Sequence, residues 1–133
     1  MLCLSFFSAS AQDVVRLSLN NKFIGEVTTG STPAVLEVPR ARYKNIKKLD
    51  LEFKQGEPVA AYKRLLEISD NQQTQICLLN ESDKAGHYVI TSLPVLKKLL
   101  KENDLKVYLL QNPKDNRMSM PSRRTLLVEL HIK

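Results

Sequence analysis

Apolar and polar residues alternate in several short stretches of this 133-residue chain. The alternation is clearest over residues 49–54 and 126–133. A period of two places successive side chains on opposite faces of a β-strand, so each stretch predicts a strand with one buried face. In the second stretch the residues expected to face the core are Leu126, Val128, Leu130 and Ile132. The residues expected to face outward are Leu127, Glu129 and His131.

Residues that favour turns separate these stretches at a spacing of roughly ten residues. Asn20 and Asn21 are the first example, because asparagine tolerates a positive φ. They predict a hairpin between a strand over residues 15–19 and a second strand over residues 23–28.

Residues 59–69 fit two kinds of secondary structure, because their apolar residues recur at both the helical and the strand period. The turn-forming residues 69–72 follow directly, and the apolar residues 76–79 come after them. This arrangement favours a strand and a second hairpin.

One segment has the clear period of a helix. The leucines at 93, 96, 99 and 100 line one face, and lysines occupy the opposite face. Ser92 is suited to cap the first turn, and Pro94 lies where a missing N–H costs little. A short α-helix is therefore predicted near residues 93–102.

The predicted elements together indicate an all-β fold. About nine short strands with one helix are typical of a β-sandwich of the immunoglobulin-like or jelly-roll-like kind. The length suits a single domain over residues 12–133. No apolar run approaches the roughly 18 residues that a membrane-spanning helix needs, so no transmembrane segment is predicted.

The first eleven residues have a different composition from the rest. An apolar run ends in the small residues Ala9, Ser10 and Ala11, and a signal peptidase accepts only small side chains near the bond it cleaves. Residues 1–11 are therefore predicted to be a signal peptide remnant, and the protein to be periplasmic or secreted. No basic residue precedes the run, so a buried N-terminal strand is the alternative interpretation.

The charge of the chain indicates which partners it favours. Twenty Lys and Arg residues against 14 Asp and Glu give a net charge of +6. For an exported protein this charge favours an acidic protein or another anionic component of the envelope. Nucleic acid is not an expected partner, because no zinc-ligand spacing, aromatic strand motif or helix-turn-helix accompanies the charge.

Catalytic motifs are missing from the sequence. It contains no Gly-x-Ser-x-Gly elbow and no glycine-rich phosphate loop, and its four glycines are scattered. We therefore expect no enzymatic activity and no cofactor.

The predicted loop over residues 112–122, together with the two arginines that follow it, is the predicted binding site. Its candidate residues are Arg117, Met118, Met120, Arg123 and Arg124. Arginine and methionine are enriched in interface cores, and loops on a rigid sandwich commonly carry binding. This pattern favours an exported, non-enzymatic binding or assembly module of the cell envelope, although a merely solvated loop fits equally well.

Metal handling is the alternative function. Met118, Met120 and His131 supply soft and borderline ligands, which suit copper, so a small periplasmic copper-handling protein is the second interpretation. In the opposing interpretation both methionines only pack the loop onto the sandwich.

The export hypothesis predicts a mature chain that begins at Gln12, because cleavage is expected after Ala11. N-terminal sequencing of the protein from its native host measures this directly. An intact Met1 on protein recovered from the cytosol would contradict it.

Overall fold

A computed structural model describes residues 13–29, 34–39, 45–54, 62–113 and 123–133. The predicted signal segment lies outside these ranges. Within them the chain forms nine strands and one short helix. The elements are β1 (Asp13–Leu19), β2 (Lys22–Thr29), β3 (Val35–Val38), β4 (Leu49–Lys54), β5 (Tyr62–Asp70), β6 (Gln75–Asn80), β7 (His87–Ile90), α1 (Leu93–Lys101), β8 (Asp104–Pro113) and β9 (Arg123–Ile132).

The strands form two sheets that enclose one core. The four-stranded sheet has the order β2-β1-β4-β7, and the five-stranded sheet has the order β3-β9-β8-β5-β6. Neighbouring strands are antiparallel, except that β3 and β9 run parallel. Buried residues of both sheets belong to the same apolar cluster. The predicted all-β sandwich is therefore confirmed.

The two predicted hairpins are present, and each depends on its turn residues. Asn20 and Asn21 both have positive φ, 51° and 66°, between β1 and β2. The Oδ1 atom of Asn20 also accepts the backbone N–H of Lys47 at 2.7 Å, which ties this turn to the segment before β4. Residues 62–70 form strand β5 and not a helix, because pairing with β6 in a hairpin and with β8 on the other side satisfies their backbone groups.

The helix closes one end of the sandwich. Leu96 and Leu99 are buried among apolar residues from the ends of strands in both sheets, including Leu19 and Leu105. Ser92 lies at the predicted N-cap, but its side chain makes no capping hydrogen bond. Packing of the leucine face therefore stabilises this nine-residue helix more than capping does. Within the described ranges, no helix is long and apolar enough to cross a membrane.

The C-terminal strand departs from its predicted pattern at one point. Val107 of β8 pairs with Val128, but the next residue, Tyr108, pairs with Leu126, so Leu127 is the extra residue of a β-bulge. Leu127 is consequently buried, whereas Leu126 is half-buried and shares the outward face of Tyr108. The predicted orientations of these two leucines were wrong, and those of Val128, Leu130 and Ile132 are confirmed.

The register of β9 predicts the cost of a charge at position 128. Val128 is fully buried, so Val128→Asp should lower the free energy of unfolding by at least about 3 kcal/mol. Its neighbour Glu129 is partly exposed, so Glu129→Ala should change it by no more than about 0.5 kcal/mol. Denaturant unfolding of both variants measures the difference, and equal midpoints would show that this register is wrong.

Candidate binding surface

The outer face of the five-stranded sheet carries leucines where polar residues are expected. Leu66 and Ile68 of β5 and Val107 and Leu109 of β8 lie in the core, so the residues between and beside them point outward. An antiparallel sheet with one solvated face normally alternates apolar and polar residues. The outward positions here instead include Leu65, Leu110, Leu126 and Tyr108, and these four together with Arg124 are called the outer leucine face.

The register brings these residues into neighbouring rows. Leu65 pairs with Leu110, and Leu110 pairs in turn with Arg124 of β9. In the next row Glu67 pairs with Tyr108, and Tyr108 pairs with Leu126. Directly paired residues in a sheet have their Cβ atoms about 5 Å apart, so Leu65 and Leu110 are close neighbours. Leu126 lies one row away, on the diagonal from Leu110, which is still within reach of a long side chain.

Arg124 lies across the middle of this face. Its guanidinium carbon is 3.7 Å from the centre of the Tyr108 ring, and its Nη2 atom donates to Oε1 of Glu67 at 2.6 Å. The guanidinium therefore crosses strand β8 to reach β5. This stacking explains why Tyr108, although it points outward, is only 8% exposed.

The carboxylate of Glu67 fixes the position of the Arg124 guanidinium. Glu67 is 9% exposed, and its Oε1 atom also accepts the hydroxyl hydrogen bond of the fully buried Ser69 at 2.9 Å. A carboxylate with so little contact to water needs a charged partner. The hydrogen bond that Arg124 donates to Glu67 stabilises the charged guanidinium and raises the pKa of Arg124.

The turn between β5 and β6 contributes the last member of the network. Oδ1 of Asp70 accepts the backbone N–H groups of Gln72 and Thr74, at 2.8 and 2.9 Å, which fixes the turn locally. Gln73 is thereby held at a positive φ of 68°. Its Oε1 atom accepts the Tyr108 hydroxyl at 2.9 Å, so both ends of the tyrosine are held.

The structure places the predicted site residues in different surroundings. Arg123 and Arg124 are the first two residues of β9 and not part of a loop, since the strand begins three residues before the predicted one. Arg117, Met118 and Met120 lie outside the described residues. Their segment joins β8 to β9, the two strands that carry most of the outer leucine face.

His131 of the alternative copper site lies on the same sheet. Its Nε2 atom is 3.7 Å from a carboxylate oxygen of Asp104 and 3.7 Å from one of Glu129. These are hard ligands, which copper(I) does not prefer. Among the residues that the structure describes, no group of three or more His, Cys, Asp or Glu is arranged to hold a metal ion.

The outer face of the four-stranded sheet holds a depression of about 630 Å³. Its charged walls balance one another, with Arg16, Lys48 and Lys84 against Asp50, Glu52 and Asp83. Lys48 and Asp50 lie 3.7 Å apart. The charges of these six side chains therefore sum to zero.

Cys77 does not have the environment of a reactive thiol. It lies on β6, and burial raises its pKa to about 11. The thiol is therefore protonated near neutral pH, whereas a nucleophilic or metal-binding cysteine needs the thiolate.

The fully buried hydroxyl of Tyr88 has no hydrogen-bond partner among the described residues, and burial raises its pKa to about 12.

The sequence contained one signal that points to the outer leucine face. Pairs of consecutive leucines occur on four strands, at 65–66, 78–79, 109–110 and 126–127. Consecutive apolar residues in a strand make both of its faces apolar, which is typical of a strand covered on both sides. The ion pair between Arg124 and Glu67 left no such signal, because its residues are 57 positions apart.

The network predicts that Arg124 stabilises the fold as well as being available for binding. Arg124→Ala removes the partner of a mostly buried carboxylate, so the free energy of unfolding should fall by about 1 kcal/mol. The loss is no larger because the Arg124 side chain is 44% exposed and water screens the pair.

Lys63→Ala on an exposed position of β5 is the control for loss of one positive charge and should cost no more than about 0.5 kcal/mol. Adding Glu67→Gln to Arg124→Ala should recover part of the loss, because it removes the uncompensated charge. Equal unfolding midpoints for Arg124→Ala and Lys63→Ala would show that the ion pair contributes nothing.

Comparison with protein-family models, with curated proteins and with solved structures finds no match to this chain. The chemistry of the surface is therefore derived from its residues alone. They form a partly apolar surface on which an arginine and a tyrosine are held in place.

Proposed function

We propose that this chain is an exported, non-enzymatic binding or assembly module of the cell envelope. The outer leucine face is the proposed contact surface, and its partner is a protein that presents apolar residues within an acidic rim. The observation that carries the proposal is the group of outward, partly exposed leucines beside an arginine and a tyrosine that are already held in place. Contiguous apolar surface on the outside of a sheet is typical of interaction sites.

The composition of the face supports a protein partner. Together with tryptophan, tyrosine and arginine are the residues most often found at the hot spots of protein interfaces. Here Arg124 and Tyr108 restrain each other, Glu67 holds Arg124, and Gln73 holds Tyr108. Side chains that are ordered before binding lose less conformational entropy in the complex, which favours affinity.

The net charge of the chain supports an acidic partner. On the outer face itself the charges are largely opposed, because Arg124 is matched by Glu67 and Lys106 pairs with Glu129. The whole chain has a net charge of +6, and Lys63 adds an exposed positive charge on the same face as Leu65. Complementary charges at the rim mainly accelerate association and select partners. Retention of the partner should consequently weaken as salt is raised.

The predicted binding residues outside the described ranges extend the same proposal. Arg117, Met118 and Met120 lie between β8 and β9, so the chain joins them directly to the strands of the outer leucine face. Methionine adapts its shape to irregular apolar surfaces, which suits a contact with a partner protein. Export is supported by the small residues at 9–11.

A retention experiment with matched variants tests the proposal. Wild-type protein, Leu65→Ser/Leu110→Ser and Phe23→Ser/Leu93→Ser are immobilised, and an envelope extract of the native host is passed over each. Phe23 and Leu93 are 53% and 50% exposed and do not belong to the outer leucine face, so the second double variant controls for loss of surface hydrophobicity. Circular dichroism establishes that all three proteins are folded.

The wild type and the Phe23/Leu93 variant should retain the same protein in equal amounts. The Leu65/Leu110 variant should retain at least about tenfold less of it. Added salt should release it. Identical retention by all three proteins would overturn the proposed surface. Equal binding of all three to phosphatidylglycerol vesicles, with no protein retained, would replace the protein partner with a lipid surface.

A further inference from the structure

A sandwich of two open sheets has four edge strands, and three of them are protected in this chain. An unprotected edge exposes N–H and C=O groups that pair readily with another strand. The edges are β2 and β7 in one sheet and β3 and β6 in the other. Proteins usually protect such strands with charges, bulges, proline, short length or a covering segment.

The two edges of the four-stranded sheet have several of these features. Strand β2 carries the exposed charges Lys22 and Glu26, and a bulge interrupts its pairing with β1. Strand β7 has only four residues. The backbone N–H of Ser82 donates to the carbonyl of His87 at 2.8 Å, so the preceding segment covers the start of this edge.

Strand β3 is protected in a similar way. It has four residues and is followed by Pro39, which cannot donate to a ladder. Its Glu37 carboxylate accepts a hydrogen bond from Nζ of Lys133 at 2.7 Å, which places an ion pair on this edge. That bond lowers the pKa of Glu37, so the charge is present at neutral pH.

Strand β6 has a bulge near its start and lies close to α1, but it lacks the other features. Its sequence, Gln-Ile-Cys-Leu-Leu-Asn, contains no charged residue and no proline. Its single bulge lies near the start, and Cys77 to Asn80 pair with β5 in regular register. Among the described residues no backbone hydrogen bond occupies the free edge of β6. Leu78 is 45% exposed there.

We infer that β6 pairs antiparallel with β6 of a second copy of this chain and forms a two-fold symmetric dimer. A two-fold axis beside Leu78 places this residue opposite the same residue of the second copy. Cys77 then lies opposite Leu79 of the second copy, and Ile76 opposite Asn80. Directly opposed pairs contribute to sheet stability, and this register opposes no like charges.

The second copy is favoured over other strands because β6 is self-complementary. Among the edge strands that the structure describes, β6 is also the longest that carries no charged residue and no proline. An isologous contact between two copies closes at the dimer, since it uses the same patch on both. The protected β2, β3 and β7 then leave no edge for further growth. A contact through one pair of strands is small, so we expect a dissociation constant between about 1 µM and 1 mM.

The dimer joins two five-stranded sheets edge to edge, with their outer faces on the same side. This inference goes beyond the proposed function and does not require it. Leu65→Ser/Leu110→Ser alters the outer leucine face but not the β6 edge, so this variant should still form the dimer. A failure of either proposal is therefore distinguishable from a failure of the other.

Analytical ultracentrifugation across a concentration series tests the inference with two single variants. Wild-type protein should change from monomer to dimer as its concentration rises. Leu78→Lys places two ammonium groups opposite each other near the axis, so the dissociation constant should rise by at least about tenfold. Leu93→Lys adds the same charge at a residue 50% exposed on α1, and it should dimerise like the wild type.

Oxidative cross-linking tests the register. In a Cys77→Ser background, Leu78→Cys should give a covalent dimer with diamide, which accepts the two electrons and two protons of the paired thiols. Paired strand positions have Cα separations within the range of disulfides. Asn80→Cys in the same background should not cross-link, because positions 80 of the two copies are four residues out of register.

A monomeric wild type at every concentration, or equal dimerisation of the two lysine variants, would overturn the inference.

Discussion

The packing of the two inner sheet faces against each other is the interaction on which the rest of the structure depends. Leu17, Leu51, Ile68, Val107 and Val128 lie at the centres of their strands and are almost completely buried. A shift of one residue in any of these strands would turn its buried side chains to the outside. Burial of this set therefore fixes the register, and the register determines which side chains reach the outer surfaces.

The same constraint also fixes side chains outside the core, and Arg124 is the example. Once β5 and β8 are in register, Glu67 and Tyr108 are neighbours on the outer face, and β9 brings Arg124 within reach of both. Removing the carboxylate from water is unfavourable, and the guanidinium and the Ser69 hydroxyl offset that cost. Because each group restrains the next, the network fixes rotamers that a solvated arginine would leave free.

Most of the fold could be predicted because its signals are local. The period of two, the asparagines of the first turn and the leucine spacing of α1 each act within about ten residues. The bulge at Leu127 could not be predicted, because it depends on how Val107 and Tyr108 of another strand pair with β9. It changed the faces assigned to Leu126 and Leu127, and Leu126 thereby joined the outer surface.

The candidate surface was harder to predict than the fold, for a related reason. Arg123 and Arg124 were selected for their residue type, but nothing near them in the sequence indicates that Glu67 and Tyr108 lie beside Arg124. Consecutive leucines on four strands carried usable information, because such a pair cannot place both side chains on one face. Which of the two points outward follows only from the sheet register.

The parallel pairing of β3 with β9 has a consequence for how the chain reaches its folded state. Strand β9 lies between β3 and β8, and the contact between Glu37 and Lys133 joins residues 96 positions apart. Contacts of such separation carry a high entropic cost of loop closure and slow the folding of β-proteins. Until β9 has been synthesised and inserted, β3 has no partner in its sheet and β8 lacks one neighbour. The five-stranded sheet therefore forms only after synthesis has passed residue 132, and the apolar residues of β3 and β8 stay accessible to chaperones until then.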